Sequence, residues 1–188
     1  NIHHAVAGGL KRHIQTAEAF LAGYDGEGPL RAIHRDPDFN EIDQLDILNP
    51  THARGDKPLT DGTLSKTFEE FRSHYEPAFL RWVDGQYDHE YAQPFAAFDA
   101  CCRAAMQRAL AYAAPGENVA VFTSAGTIGM ICRQVLQLND KATSELMWLI
   151  GNTSVTHLRW ERECFVLRLF NSTAHLDHHG DASLVTLA

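Results

Sequence analysis

Apolar positions along the chain alternate between short β-type runs and longer stretches of helical spacing. Ile2 to Val6 reads as the end of a short strand, Gly8-Gly9 turns the chain, and a helix is predicted from about Leu10 to Ala22 with Gly23 as its stop. A second short strand is expected at Leu30 to Ile33, followed by polar His34-Arg35-Asp36-Pro37-Asp38 and by Phe39-Asn40-Glu41-Ile42-Asp43. Leu45 to Gly62, punctuated by Asn49-Pro50, Gly55, Pro58 and Gly62, reads as a long loop of the kind that often covers a ligand site. Leu64, Phe68, Phe71, Tyr75, Phe79 and Trp82 then recur at helical spacing, which predicts a helix to Val83 capped by Thr63 and kinked at Pro77. Pro94 to Ala114 reads as a second long helix with an alanine-rich face.

After Pro115-Gly116, the run Asn118 to Thr123 has the β-branched, apolar character of a strand buried on both faces of a parallel sheet. Ser124-Ala125-Gly126-Thr127 opens a further helix to about Leu138. Ser154 to Trp160 and Cys164 to Phe170 pair as a hairpin around a three-residue loop, Glu161-Arg162-Glu163, whose edge could support a homodimer. Strands alternating with helices, plus this antiparallel edge, predict one α/β domain over residues 1–188: a three-layer sandwich with a mostly parallel sheet and helices on both faces.

The 188 residues are 45% hydrophobic and 21% charged, the balance of a globular domain. The net charge of -8 and the scatter of the 16 basic residues argue against a nucleic-acid surface. No apolar run approaches the roughly 20 residues needed to span a bilayer. With no signal peptide at the start, the expectation is a cytoplasmic protein without a membrane partner. Cys101, Cys102, Cys132 and Cys164 match neither a zinc spacing nor a disulfide framework and read as small core hydrophobes.

Ligands of open α/β sheets bind beyond the carboxyl ends of the strands, where helix N-termini present unpaired N–H groups. Two junctions have that form. Gly8-Gly9-Leu10-Lys11-Arg12 allows close backbone approach and puts Arg12 in the first helical turn, where a guanidinium can grip an oxyanion with two N–H bonds. Thr123-Ser124-Ala125-Gly126-Thr127 offers hydroxyls and amides to the same anion. Small residues at a helix start are commonly just caps, so neither junction is specific alone; their co-occurrence points to phosphate. Glu41 could add a carboxylic acid at the same rim. His175, His178 and His179 match no defined metal geometry.

These residues resemble the histidine phosphatase, or phosphoglycerate mutase-like, superfamily. Leu10 to Glu18 is similar to the family's Ser-x-Leu-x-Arg-Ala-x-x-Thr-Ala stretch, with Gly8 in place of the serine and His13 in place of the alanine. Phe39-Asn40-Glu41-Ile42-Asp43 resembles its Leu-Asn-Glu motif, and Glu117 to Ile128 resembles the strand and turn ending in Ser-His-Gly-Gly-Thr-Ile, with Ser124 in place of the histidine. Asn152 to Thr156 and Asn171 to Leu176 are similar to its late strand and tail.

The resemblance implies that Arg12, Ser124 and Ala125 hold a phosphoryl group and that Glu41 and Ser124 serve catalysis, Glu41 as the proton donor, with no metal or organic cofactor. It also implies a nucleophilic histidine in an Arg-His-Gly motif, which occurs nowhere in these 188 residues. That motif, with a first strand and helix, is expected about 40 to 60 residues upstream of Leu10. The expected activity is hydrolysis of a phosphomonoester through a phosphohistidine. The alternative is a non-catalytic relative that binds a phosphorylated small molecule or phosphate.

Overall fold

The computed structural model describes residues 1–26, 33–52, 68–177 and 180–187. The chain divides into two compact units, one made of residues 1–41 and 102–188, the other of residues 42–101.

In the first unit, β1 (His4–Ala7), β2 (Ile33–Arg35) and β3 (Val119–Phe122) form a parallel sheet in the order β2-β1-β3. In register, Val6 stands beside His34 and Val121, and Ala7 beside Arg35 and Phe122. Pleating therefore sends His4, Val6 and His34 to one face and Ala5, Ala7 and Phe122 to the other. Phe20 of α1 (Lys11–Gly23) lies 5.4 Å from the Phe122 ring on the second face. Tyr112, just past the end of α4 (Phe95–Ala111), stacks on His34 at 4.2 Å on the first. Helices thus cover both faces, and Arg108 of α4 is tied to Asp36 by two N–H bonds of 2.8 and 2.9 Å.

Central β1 is the buried strand, with Ala5, Val6 and Ala7 sealed from solvent. The expectation that the run at 118–123 is buried on both faces is not met: all four residues of β3 are half-buried, because among the described strands β3 is an edge. The described part of the second strand, Ile33–Arg35, runs past the expected end at Ile33, so His34 and Arg35 pair with β1 instead of belonging to a polar connection. Leu30, Arg31 and Ala32 fall outside the described residues.

From β3 the chain enters α5 (Ala125–Leu136) and then α6 (Asp140–Met147), whose start is capped by the Asn139 side chain accepting the Ala142 N–H at 2.9 Å. β4 (Val155–Glu161) and β5 (Cys164–Ser172) form a separate two-stranded antiparallel sheet, not an edge of the parallel one. Their connection has two residues, not three: Glu161 pairs with Cys164, and Arg162 and Glu163 both have positive φ, the backbone twist that suits tight hairpins.

The second unit contains α2 (Gln44–His52), α3 (Phe68–Asp84) and the beginning of α4. Finding α2 where a loop was expected has a local cause: the Asp43 carboxylate accepts the Leu45 and Asp46 N–H groups at 2.9 and 3.2 Å, an N-cap that outweighs Pro50 near the helix end. Asp46 in turn accepts the Ala92 and Gln93 N–H groups. Trp82 is the buried centre, edge-on to Phe95 at 5.1 Å, with its indole N–H donating to the Gln93 carbonyl at 2.8 Å. Thr63, Leu64 and the loop residues beyond His52 lie outside the described residues.

Cys102 and Cys132 are core thiols, and burial pushes Cys132 up to about 11. Cys164 is exposed, against expectation, because it stands beside the hairpin turn. No described helix is long and apolar enough to cross a membrane.

Candidate active site

Parallel strands bring their carboxyl ends to one edge, and all three connections in the first unit meet there. Gly8 extends β1 by donating its N–H to the Phe122 carbonyl at 3.0 Å, so the starts of α1 and α5 lie side by side. β2 leads through a 3-10 turn, Pro37–Phe39, into Asn40 and Glu41. Four hydrogen bonds hold that segment. The Thr123 and Thr127 hydroxyls donate to the Phe39 and Asn40 carbonyls, each at 2.6 Å, the Asn40 side-chain oxygen accepts the Gly9 N–H at 2.5 Å, and the Gly126 N–H donates to Glu41 Oε1 at 3.0 Å.

The Glu41 carboxyl thereby does what Ser124 does not. Ser124 is the N-cap residue of α5, but its side chain makes no capping bond. Glu41 satisfies the second amide of the helix instead, where a carboxylate also meets the positive end of the helix dipole. The Ala125 N–H is the first of the amides that a helix leaves without an intrahelical partner.

Ser124 is turned towards α1. Arg12 donates to its Oγ from Nε at 3.2 Å and from Nη2 at 3.1 Å, and His13 Nε2 lies 2.5 Å from the same oxygen. A hydroxyl has one proton and two lone pairs. With both lone pairs facing Arg12 donors, the proton goes to His13 Nε2, and the ring carries its own hydrogen on Nδ1. Burial, and then the neighbouring Arg12 cation, push His13 down from 6.5 to about 4, so the ring is neutral at neutral pH. Its Nδ1 is buried with no hydrogen-bond partner among the described residues. Arg12 Nη2 is also 3.9 Å from Glu41 Oε2, and the Arg12 side chain is 60% exposed, so the cation can turn to an incoming anion.

Arg12, Glu41, Ser124 and Ala125, the residues expected from the sequence, therefore lie together at the carboxyl edge of the parallel sheet. Sequence reasoning set His13 aside and gave Asn40 no role. The available signal was a set of three departures from the family pattern, at Gly8, His13 and Ser124, which are neighbours in space. A Cβ at Gly8 would fall on His13 Nδ1 and lie 2.7 Å from the Phe39 carbonyl oxygen, so the imidazole fills the space that a side chain at position 8 would need.

His178 and His179 lie outside the described residues, and among the described residues no group of three or more His, Cys, Asp or Glu could hold a metal ion.

The model of the histidine phosphatase superfamily (branch 1) matches residues 60–173. The chain belongs to this superfamily. The match includes Ser124 and Ala125, and it begins after Arg12 and Glu41. Two solved structures share the histidine phosphatase fold seen here. A histidine-to-alanine mutant of phosphoserine phosphatase from Entamoeba histolytica, in complex with phosphoserine, superposes with a TM-score of 0.58 at 14% identity, over 94% of this chain and 76% of the other. A putative alpha-ribazole-5'-P phosphatase from Escherichia coli K-12 gives 0.56 at 18% identity, over 92% and 74%. No curated protein sequence matches this histidine phosphatase chain.

Proposed function

We propose that this histidine phosphatase chain serves the hydrolysis of a phosphomonoester. The observation that carries the reading is the convergence of the exposed Arg12 guanidinium, the Ser124 hydroxyl, the start of α5 and the Glu41 carboxyl at the carboxyl edge of a parallel sheet. In this scheme Arg12 swings from Ser124 to two phosphoryl oxygens, and the Ser124 O–H and Ala125 N–H donate to the third. Glu41, anchored through Gly126, gives a proton to the leaving oxygen. The nucleophile is the phosphohistidine-forming imidazole of an Arg-His-Gly segment upstream of Asn1, as the family resemblance implies. Both structural neighbours carry the names of phosphatases acting on small phosphate esters, which supports that substrate class.

The test is p-nitrophenyl phosphate hydrolysis by the natural protein and its Arg12→Ala variant. Loss of a preorganised oxyanion donor should lower kcat by about 100-fold or more. Turnover insensitive to Arg12 would sink the scheme. A second reading, a non-catalytic binder of phosphorylated ligands, is favoured by Ser124, which cannot carry charge where the family has histidine. Calorimetry showing phosphate binding that Arg12→Ala abolishes, with no turnover, would select it.

A further inference from the structure

None of the steps above uses the His13 imidazole, although it is 2% exposed and touches the Ser124 hydroxyl. Among the described residues, four bound its surroundings. Its own helix brings Arg12; the turn before that helix brings Gly8, with no side chain; the segment after the 3-10 turn brings Glu41, whose Oε2 faces Arg12; and the start of α5 brings Ser124. The ring therefore sits behind the serine, buried, with the arginine holding both serine lone pairs.

That arrangement depends on Arg12 staying bonded to Ser124. An oxyanion bound by Arg12 takes the guanidinium N–H groups away from Ser124 and leaves the serine oxygen two lone pairs short of donors. We propose that His13 is a positioning residue that couples anion binding to proton uptake: once Arg12 turns to the anion, Nε2 gains a proton, donates it in a hydrogen bond to Ser124 Oγ, and frees the serine O–H to point at the anion. The proposal rests on the oxyanion-pocket reading of Arg12 and Ser124. One proton enters from solvent, no covalent bond to the anion forms, and the hydroxyl ends with its proton donated to the anion and one of its two lone pairs accepting from Nε2. The site then carries one more positive charge when it holds negative charge and none of that extra charge when vacant.

In the free protein, burial and Arg12 both disfavour the imidazolium. A dianion about 6 Å away, through an effective dielectric near 40, raises the proton affinity of the ring roughly 100-fold, which moves its titration from about 4 to about 6.

Sulfate is the probe, because it carries no titrating proton near neutrality. The His13 ring is followed by NMR with and without saturating sulfate, assigned by the signal lost in His13→Gln, and calorimetry in buffers of different ionisation enthalpy counts the protons. The expected result is the upward shift just given and uptake of about 0.8 proton per sulfate at a pH near 5. Uptake should persist in Glu41→Gln, which removes the other acid of the pocket, and vanish in His13→Gln, where sulfate affinity becomes flat with pH. Arg12-dependent sulfate binding without uptake overturns the coupling and leaves the pocket reading intact. Uptake that disappears in Glu41→Gln assigns the proton to Glu41 and also overturns it. No Arg12-dependent binding at all overturns both.

Discussion

Gly8 and His13 should behave as one unit in a double-mutant cycle. In Gly8→Ala the added methyl meets the imidazole on one side and, at 2.7 Å, the Phe39 carbonyl on the other, where ordinary carbon contacts begin near 3.5 Å. Neither neighbour yields easily: Phe39 is fully buried, its carbonyl is held by the Thr123 hydroxyl, and the His13 ring is pinned against Ser124. Relief requires shifts approaching 1 Å in a packed interior, which costs about 1–3 kcal/mol. His13→Ala alone leaves a cavity and a serine proton without its acceptor, for about 2–3 kcal/mol. The double variant removes the ring that the methyl would strike, so the two costs should fall short of their sum by about 1–2 kcal/mol, the residue being the carbonyl contact. Urea unfolding of the four proteins, followed by circular dichroism, measures this coupling. Additivity within about 0.5 kcal/mol would refute the argument that the missing Cβ makes room for the imidazole.

Two further outcomes concern His13 and Thr127. His13 titrates near 6.5 unfolded and about 4 folded, so between those values the unfolded chain binds a proton that the folded one refuses; stability is complete above 6.5 and falls by about 3 kcal/mol as the pH drops to 4. Urea midpoints across that range should flatten in His13→Gln, and an unchanged slope would deny the buried neutral ring. Thr127→Val removes, at nearly constant volume, a fully buried hydroxyl that donates to the Asn40 carbonyl. It should cost about 1–3 kcal/mol, because the carbonyl is left unpaired, and should slow ester hydrolysis more than it weakens phosphate binding, since Glu41 is displaced and Arg12 is not. Equal losses in both would place Thr127 in the fold alone.

Periodicity carried the helices and the parallel strands because burial enforces it. The run at Val119–Phe122 and the helix after it are local statements about apolar spacing, and so is α3. The departures came where polar side chains override spacing. Asp43 starts a helix in a stretch whose prolines and glycines read as loop, and the Asn139 side chain starts α6. His34 and Arg35 look like a polar connection but pair with β1, because a three-residue strand needs backbone bonds more than apolar side chains. Within the site, Arg12 and Ser124 were legible from glycines and helix starts. The His13–Ser124 contact was not, because it joins residues 111 positions apart and only the sheet order, with β1 beside β3, brings them together.

Trp82 also makes the second unit observable by itself. Of the three tryptophans, Trp148 and Trp160 belong to the first unit, and Trp160 is 38% exposed, whereas Trp82 is the only one in residues 42–101 and is sealed among aromatic rings. A buried indole emits at shorter wavelength than a wet one. In a Trp148→Phe, Trp160→Phe background, the colour of the remaining emission becomes a clock for the opening of residues 42–101, readable while a ligand sits at Arg12.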